Sequence, residues 1–431
     1  MTPSQKLAYG WLALAVGLFA LHCAAALVAA SQFLPGDPLA ARLPYDRIHG
    51  LAQALLSLAA SSGLLGGGVY LAARSRADDR LPDERLLRAG FGLWTLLAAG
   101  AVIAGLLGAL DGRHLLELPP VLRGLQIVAT GLVLLAVVRA VPFAPLAQAW
   151  SAGLAAAQVG WLLALIAPPD PLAERALRTL ALGLMDGIGA PLAAVALAFW
   201  LMHRFSRAPL GWVQRTVYSA GGLVALAGAF ACLPPLVLLG APDWARAASS
   251  LGLAIIPAGY LVVAAQMYRA FSDRNATYTL AAHWCALGLL LLLIGPGLLG
   301  ALQALPGVYA AVAGTHLSDV QTGLIRLVPV AISLGIANQA AAELRGRNWR
   351  VTGLIPFWLV AFGTVGGALA LGAAGVAQTY LERLAGFSHP QTQALLAPLQ
   401  ALWVFSLLLV GLGAAVYGLT FWRRRPVERL S

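Results

Sequence analysis

From residue 8 onward the chain is a succession of apolar runs, each about as long as a bilayer is thick, joined by short charged loops. The runs fall at about 8–32, 48–73, 87–110, 120–142, 145–167, 178–202, 212–240, 243–270, 277–304, 319–343, 351–377 and 392–422. A hydrocarbon core of about 30 Å takes roughly 20 apolar residues in a helix. Inside it every backbone N–H and C=O must be satisfied by the protein itself, so a run of that length is a helix. The spacing therefore predicts an all-α polytopic membrane protein of twelve transmembrane helices. The chain is 60% hydrophobic and only 10% charged, which excludes a water-soluble fold. The loops leave no room for a soluble domain, so residues 1–431 read as a single transmembrane domain. The run after MTPSQK is too long for a cleaved leader and reads as a retained first span. No strong internal repeat is visible, which weighs against inverted-repeat transporter folds.

The net charge of +11 would suggest nucleic acid in a soluble chain. Here the arginines sit in interhelical loops, where they report topology, and no basic patch interleaved with aromatics points to nucleic acid. One set of loops carries 18 arginines, beginning with Arg74, Arg76, Arg80, Arg85 and Arg88 and ending with Arg423, Arg424, Arg425 and Arg429. The alternate set carries eight: Arg42, Arg47, Arg113, Arg123, Arg175, Arg178, Arg246 and Arg383. The richer set is expected in the cytoplasm, with both termini there and the chain in a bacterial-type inner membrane.

Cys23, Cys232 and Cys285 all lie inside apolar runs and form no CxxC or CxxCH, so neither a zinc site nor a c-type haem attachment is expected. GLLGGG at 63–68 and GTVGG at 363–367 lie within spans, where small residues let helices approach closely, and are not phosphate loops. In ACLPPLVLLGAPDWAR, residues 231–246, the adjacent Pro234 and Pro235 break the helix near the end of the seventh run.

That stretch belongs to a series of partial matches that run in order along the chain. LPYDRIHGLAQALL (43–56), ACLPPLVLLGAPDWAR (231–246), LIGPGLLGAL (293–302), GTHLSDVQTGLIRL (314–327), PFWLVAFG (356–363) with AGVAQTYLER (374–383), and FSHPQTQALL (387–396) together resemble the large subunit of haem–copper oxidases. The likeness is to the C-family, cbb-type oxidases and their nitric oxide reductase relatives. It implies a twelve-helix bundle with both ends in the cytoplasm. In that family histidines hold two haems and a copper, because imidazole binds both metals and stays neutral near pH 7.

At the positions where the resemblance places those histidines, this chain has others. The span-2 haem ligand falls on Ala52 and the span-6 copper ligand near Ile188. The span-7 pair falls on Pro234 and Pro235, and the span-10 pair on Asp319 and Gln321. Ile294 stands where the family has a glutamate before Gly-Pro. The remaining histidines are His22, His49, His114, His203, His283, His316 and His389. His49 and His316 lie at span mouths and are the candidates for a shared metal. His22 and His283 have no second histidine one helical turn away.

Two ionisable residues fall inside spans: Asp186 in GLMDGIG and Arg326 in TGLIRLVP. A lone charge there costs on the order of 3 kcal/mol, so such groups pair or line a polar cavity. At 1.5 Å per residue, Asp186 sits about 12 Å and Arg326 about 10 Å from the same ends of their spans, so the two match in depth as an intramembrane pair. Gln126, Gln158, Gln266 and Asn338 are further polar groups available to such a network.

No catalytic residue and no cofactor is expected; haem b is the alternative. The resemblance without its ligands implies a cofactor-free paralogue, a pseudoenzyme. It would act as a structural, anchoring or partner-binding subunit of a respiratory-type complex, alongside other membrane subunits such as a membrane-anchored cytochrome c-type subunit. Any activity would be that of the complex. The alternatives are an active oxidase or nitric oxide reductase with displaced ligands, and a transporter or channel that uses the vacated cavity. On the charge count, single cysteines placed at residues 74–88 should resist an impermeant maleimide in intact cells; labelling from outside would reverse the topology.

Overall fold

The computed structural model describes residues 1–33, 43–110, 118–141, 145–166, 170–206, 210–231, 243–271, 279–303, 305–345 and 353–422. Every regular element among them is helical. α1 (Pro3–Ser31) starts on a capping box: the Thr2 hydroxyl accepts from the Gln5 N–H and Gln5 Oε1 accepts from the Thr2 N–H. There follow α2 (Tyr45–Arg74), α3 (Glu84–Leu107), α4 (Pro120–Ala140) and α5 (Pro145–Leu163). α6 (Pro171–Leu182) continues through a π-helical turn at Gly183–Gly189 into α7 (Ala190–Ser206). Next come α8 (Leu210–Ala231), α9 (Asp243–Phe271) and α10 (Leu280–Leu292), which passes through a second π turn at Leu293–Leu299 into the short α11 (Gly300–Leu302). α12 (Pro306–Val312), α13 (His316–Arg345), α14 (Leu354–Thr379) with a final π turn at Tyr380–Leu384, and α15 (His389–Trp422) complete the chain.

Among the described residues nine helices are long and apolar enough to cross a membrane, so the chain is an all-α, multi-pass membrane protein. The runs predicted at 145–167, 212–240 and 243–270 are helical as α5, α8 and α9 as far as they are described. Pro234 and Pro235 lie outside the described residues. Burial orders the bundle. In α2, 89% of the apolar window is covered by protein, and in α13 72%, against 22% in α15, so α2 and α13 form the centre and α15 faces outward. Large apolar side chains exposed on α3, α14 and α15, such as Leu96, Phe362 and Phe405, meet lipid. α1 lies along α2 and α14 along α15, while α1 also packs on α15. There Tyr9 stacks on Phe421 with ring centroids 5.0 Å apart.

Small residues set how closely these helices approach. In the 63–68 run, a Cβ on Gly66 would lie 2.7 Å from the Trp11 Cβ of α1, and one on Gly67 2.9 Å from Ile336 of α13. Gly68 lies against the Trp150 indole of α5, whose Nε1 donates to the Leu64 carbonyl at 3.0 Å. Gly363 meets the Ser406 carbonyl of α15 in the same way, 2.7 Å from its would-be Cβ. Both runs are helix-packing faces. Arg123, counted above among loop arginines, is instead 1% exposed; its Nε and Nη1 donate to the Leu118 and Ala164 carbonyls, each at 2.7 Å.

α5 and the first π turn touch backbone to backbone. A Cβ on Gly153 would lie 2.7 Å from both the Ala193 nitrogen and the Gly189 oxygen. Gly153→Val should therefore lower the unfolding temperature in detergent by the equivalent of about 1–3 kcal/mol, the usual penalty of overpacking. Gly92→Ala, whose Cβ meets nothing within 4 Å, should leave it unchanged or raised. Equal behaviour of the two variants would refute close packing at this turn.

Candidate functional site

Arg326 projects from the middle of α13 and is 5% exposed. Its Nε and Nη2 donate to one oxygen of Asp186, Oδ2, at 3.0 and 2.9 Å, and its Nη1 donates to Gln53 Oε1 of α2 at 3.3 Å. Three helices that are distant in sequence thus meet on one guanidinium. Asp186 sits in the π turn of Gly183–Gly189, whose glycines allow the close contact with α5. In a π turn the N–H bonds shift to the fifth residue back, as in Ala190 N–H to Met185 O. Tyr260 of α9 donates its hydroxyl to the Gly187 carbonyl in the same turn at 2.8 Å. The Arg326 side chain is 5% and the Asp186 side chain 27% exposed, so the pair is largely buried, and its two mutual hydrogen bonds with the one from Arg326 to Gln53 offset part of the desolvation that the charges cost.

Gln53 also lines an open-mouthed cavity of about 500 Å³ lined by α1 and the turn after it, α2, α13, α14 and α15. Its mouth lies at the starts of α2 and α13 and carries Tyr45, Asp46, His49, His316 and Asp319. Its walls are apolar and aromatic, with Phe19, Leu327, Leu371, Trp403 and Leu407 among them. At mid-depth His22 Nδ1 lies 2.7 Å from the carbonyl of Ala52. A carbonyl only accepts, so Nδ1 carries the proton and Nε2 is left as an acceptor.

The structure brings some of the expected positions together and separates others. Ala52 and Asp319 line this one cavity, although they stand on different helices. Gln321 is directed elsewhere: its Nε2 lies 3.6 Å from where a Cβ on Gly300 would be, beside the second π turn. Ile188 and Ile294 are half-buried in the two π turns. His49 and His316 share the cavity mouth. His49 Nδ1 faces the Tyr45 hydroxyl at 3.3 Å; His316 Nδ1 lies 3.7 Å from Asp319 Oδ2, and its Nε2 is buried without a hydrogen-bond partner. Among the described residues no three His, Cys, Asp or Glu side chains converge as a ligand set. The positions to which the resemblance assigns haem ligation do not fit it, since Ala52 offers a methyl group and Asp319 a carboxylate that is 60% exposed.

Gln53, His22 and Tyr260 were not among the network residues expected from the sequence. The expected members do not join it. Gln266 Nε2 donates to Ser219 at 3.3 Å, and Asn338 Nδ2 turns back to the Leu334 carbonyl of its own helix at 3.1 Å. Gln126 Oε1 and Gln158 Oε1 are buried without partners. His283 likewise bonds within its own turn, to the Thr279 carbonyl at 2.9 Å. His114 and Cys232 lie outside the described residues. No family model matches the chain, and no curated protein sequence matches it.

The geometry sets a double-mutant cycle. Asp186→Ala or Arg326→Ala alone leaves a charge stranded in the bundle and should cost about 3–5 kcal/mol of stability in detergent, while the double variant should cost less than the sum. Additive losses across the cycle would contradict the pair.

Proposed function

We propose that this chain is a cofactor-free paralogue of the haem–copper oxidase large subunit. On this reading it has twelve spans and cytoplasmic termini in a bacterial-type inner membrane. It serves as a structural, anchoring or partner-binding subunit of a respiratory-type complex. The reading draws on the ordered partial matches. The observation that carries it is the meeting of Ala52 and Asp319 across one interhelical cavity. These are two positions from distant parts of the chain at which the resemblance places haem ligands, and here neither has an imidazole. Packing and chemistry reside in different residues, so a bundle can outlast the loss of its ligands. Its partners are then other membrane subunits, one of them a membrane-anchored cytochrome c-type subunit.

One observation favours a second reading, in which a haem b is retained with a displaced ligand. His22 stands beside Ala52, and its Nδ1–H is held by a backbone carbonyl, the outer-sphere bond that orients metal-binding imidazoles and leaves Nε2 for a metal. A pyridine haemochrome spectrum and copper analysis of protein purified from its native membrane separate the two. The first reading expects neither cofactor in stoichiometric amount. A Soret band from about one haem per chain, lost in His22→Ala, would replace it with the second. Crosslinking in the same membranes should capture the chain with other membrane subunits; recovery only as an isolated chain would contradict the anchoring role.

A further inference from the structure

The interhelical cavity has a polarity pattern that selects a ligand. We infer that it binds a hydroxyl-headed lipid, a long-chain or isoprenoid alcohol, with the hydroxyl seated between His22 and Gln53 and the chain along the apolar wall. This goes beyond the subunit reading and does not depend on it.

Two side chains at mid-depth define the head group. His22 gives its Nδ1–H to the Ala52 carbonyl, so Nε2 accepts. Gln53 accepts from Arg326 through Oε1, so its NH2 group supplies donors. One acceptor and one donor on the lining of one cavity match a hydroxyl, which donates once and accepts at its lone pairs. A carboxylate or phosphate offers nothing to His22 Nε2 and meets the Asp46 and Asp319 carboxylates at the mouth. A hydrocarbon offers a hydrogen-bond partner to neither group.

The rest of the lining suits an apolar chain. Phe33 comes from the turn after α1, Leu371 from α14, and Trp403 and Leu407 from α15, and the volume of about 500 Å³ falls within the range of small-molecule sites. Gly323 of α13 belongs to the same lining, and a Cβ there would meet nothing within 4 Å, so this glycine opens onto free space. A larger residue at 323 starts from a Cβ that strikes nothing and is placed on the cavity lining. It also replaces the poorest non-proline helix former.

Native mass spectrometry of the full chain in detergent, titrated with 1-dodecanol, farnesol, dodecane and dodecanoate, tests the site. One dodecanol or farnesol should be retained per chain, about tenfold more tightly than dodecane or dodecanoate, the worth of one or two net hydrogen bonds. Tighter retention of dodecanol identifies an acyl-type source and tighter retention of farnesol an isoprenoid one. Gly323→Leu should abolish retention of both alcohols while keeping or raising the unfolding temperature. His22→Phe should bring dodecanol down to the level of dodecane, which keeps the test open if Gly323→Leu fails to fold. Equal retention of dodecanol and dodecane by the unaltered chain, alcohol binding unchanged in either folded variant, or a co-purified haem would overturn the proposal.

Discussion

A guanidinium in the middle of a membrane-spanning helix is the constraint around which this bundle is arranged. Arg326 is 5% exposed on α13, the helix that, with α2, forms the centre. Its charge is met by Asp186 and Gln53, which tie the α6–α7 span and α2 to α13. The carboxylate arrives there through a widened, glycine-rich turn. That turn depends on the backbone contact between Gly153 and Gly189, and one of its carbonyls depends on the hydroxyl of Tyr260. Small residues, a π turn and a hydrogen bond from a fourth helix all serve to hold one carboxylate against one arginine. In hydrocarbon, where a missing partner is not replaced by water, such an arrangement is cooperative: each group is held by the others.

The cavity beside this network is separate in its chemistry but joined to it by one residue. Gln53 accepts from Arg326 and lines the cavity, so the state of the ion pair bears on the donor that the cavity presents. If the guanidinium left Gln53, the amide would be free to turn, and the polarity at mid-depth would change with it. On the proposed reading, space left by lost ligands would then serve recognition of an apolar molecule.

The helices were legible because backbone satisfaction in lipid leaves few alternatives to a helix, and the runs of 8–32 or 319–343 carry that signal in plain composition. The glycine runs at 63–68 and 363–367 were legible as packing faces for a similar reason: inside a span a cluster of small residues has little else to do. Asp186 and Arg326 could be matched by depth, since rise per residue is fixed and two lone charges seek each other. Azimuth was not legible. Nothing in one sequence says that Gln53, rather than Gln126 or Asn338, turns toward Arg326, or that His22 meets the carbonyl of a residue on the neighbouring helix. The π turns left only a faint mark, the glycines of GLMDGIG and the proline of LIGPGLL. Arg123 was misplaced because a charge beside Pro119 and Pro120 reads as loop, whereas its long side chain folds back onto two carbonyls.

The most direct measurement is a cryo-electron microscopy map of the chain in lipid nanodiscs at side-chain resolution. The account predicts density joining the Arg326 guanidinium to Asp186 and Gln53, with the Ala52–Asp319 cavity free of any flat macrocycle. Arg326 turned away from Asp186, or porphyrin density ligated in that cavity, would contradict it.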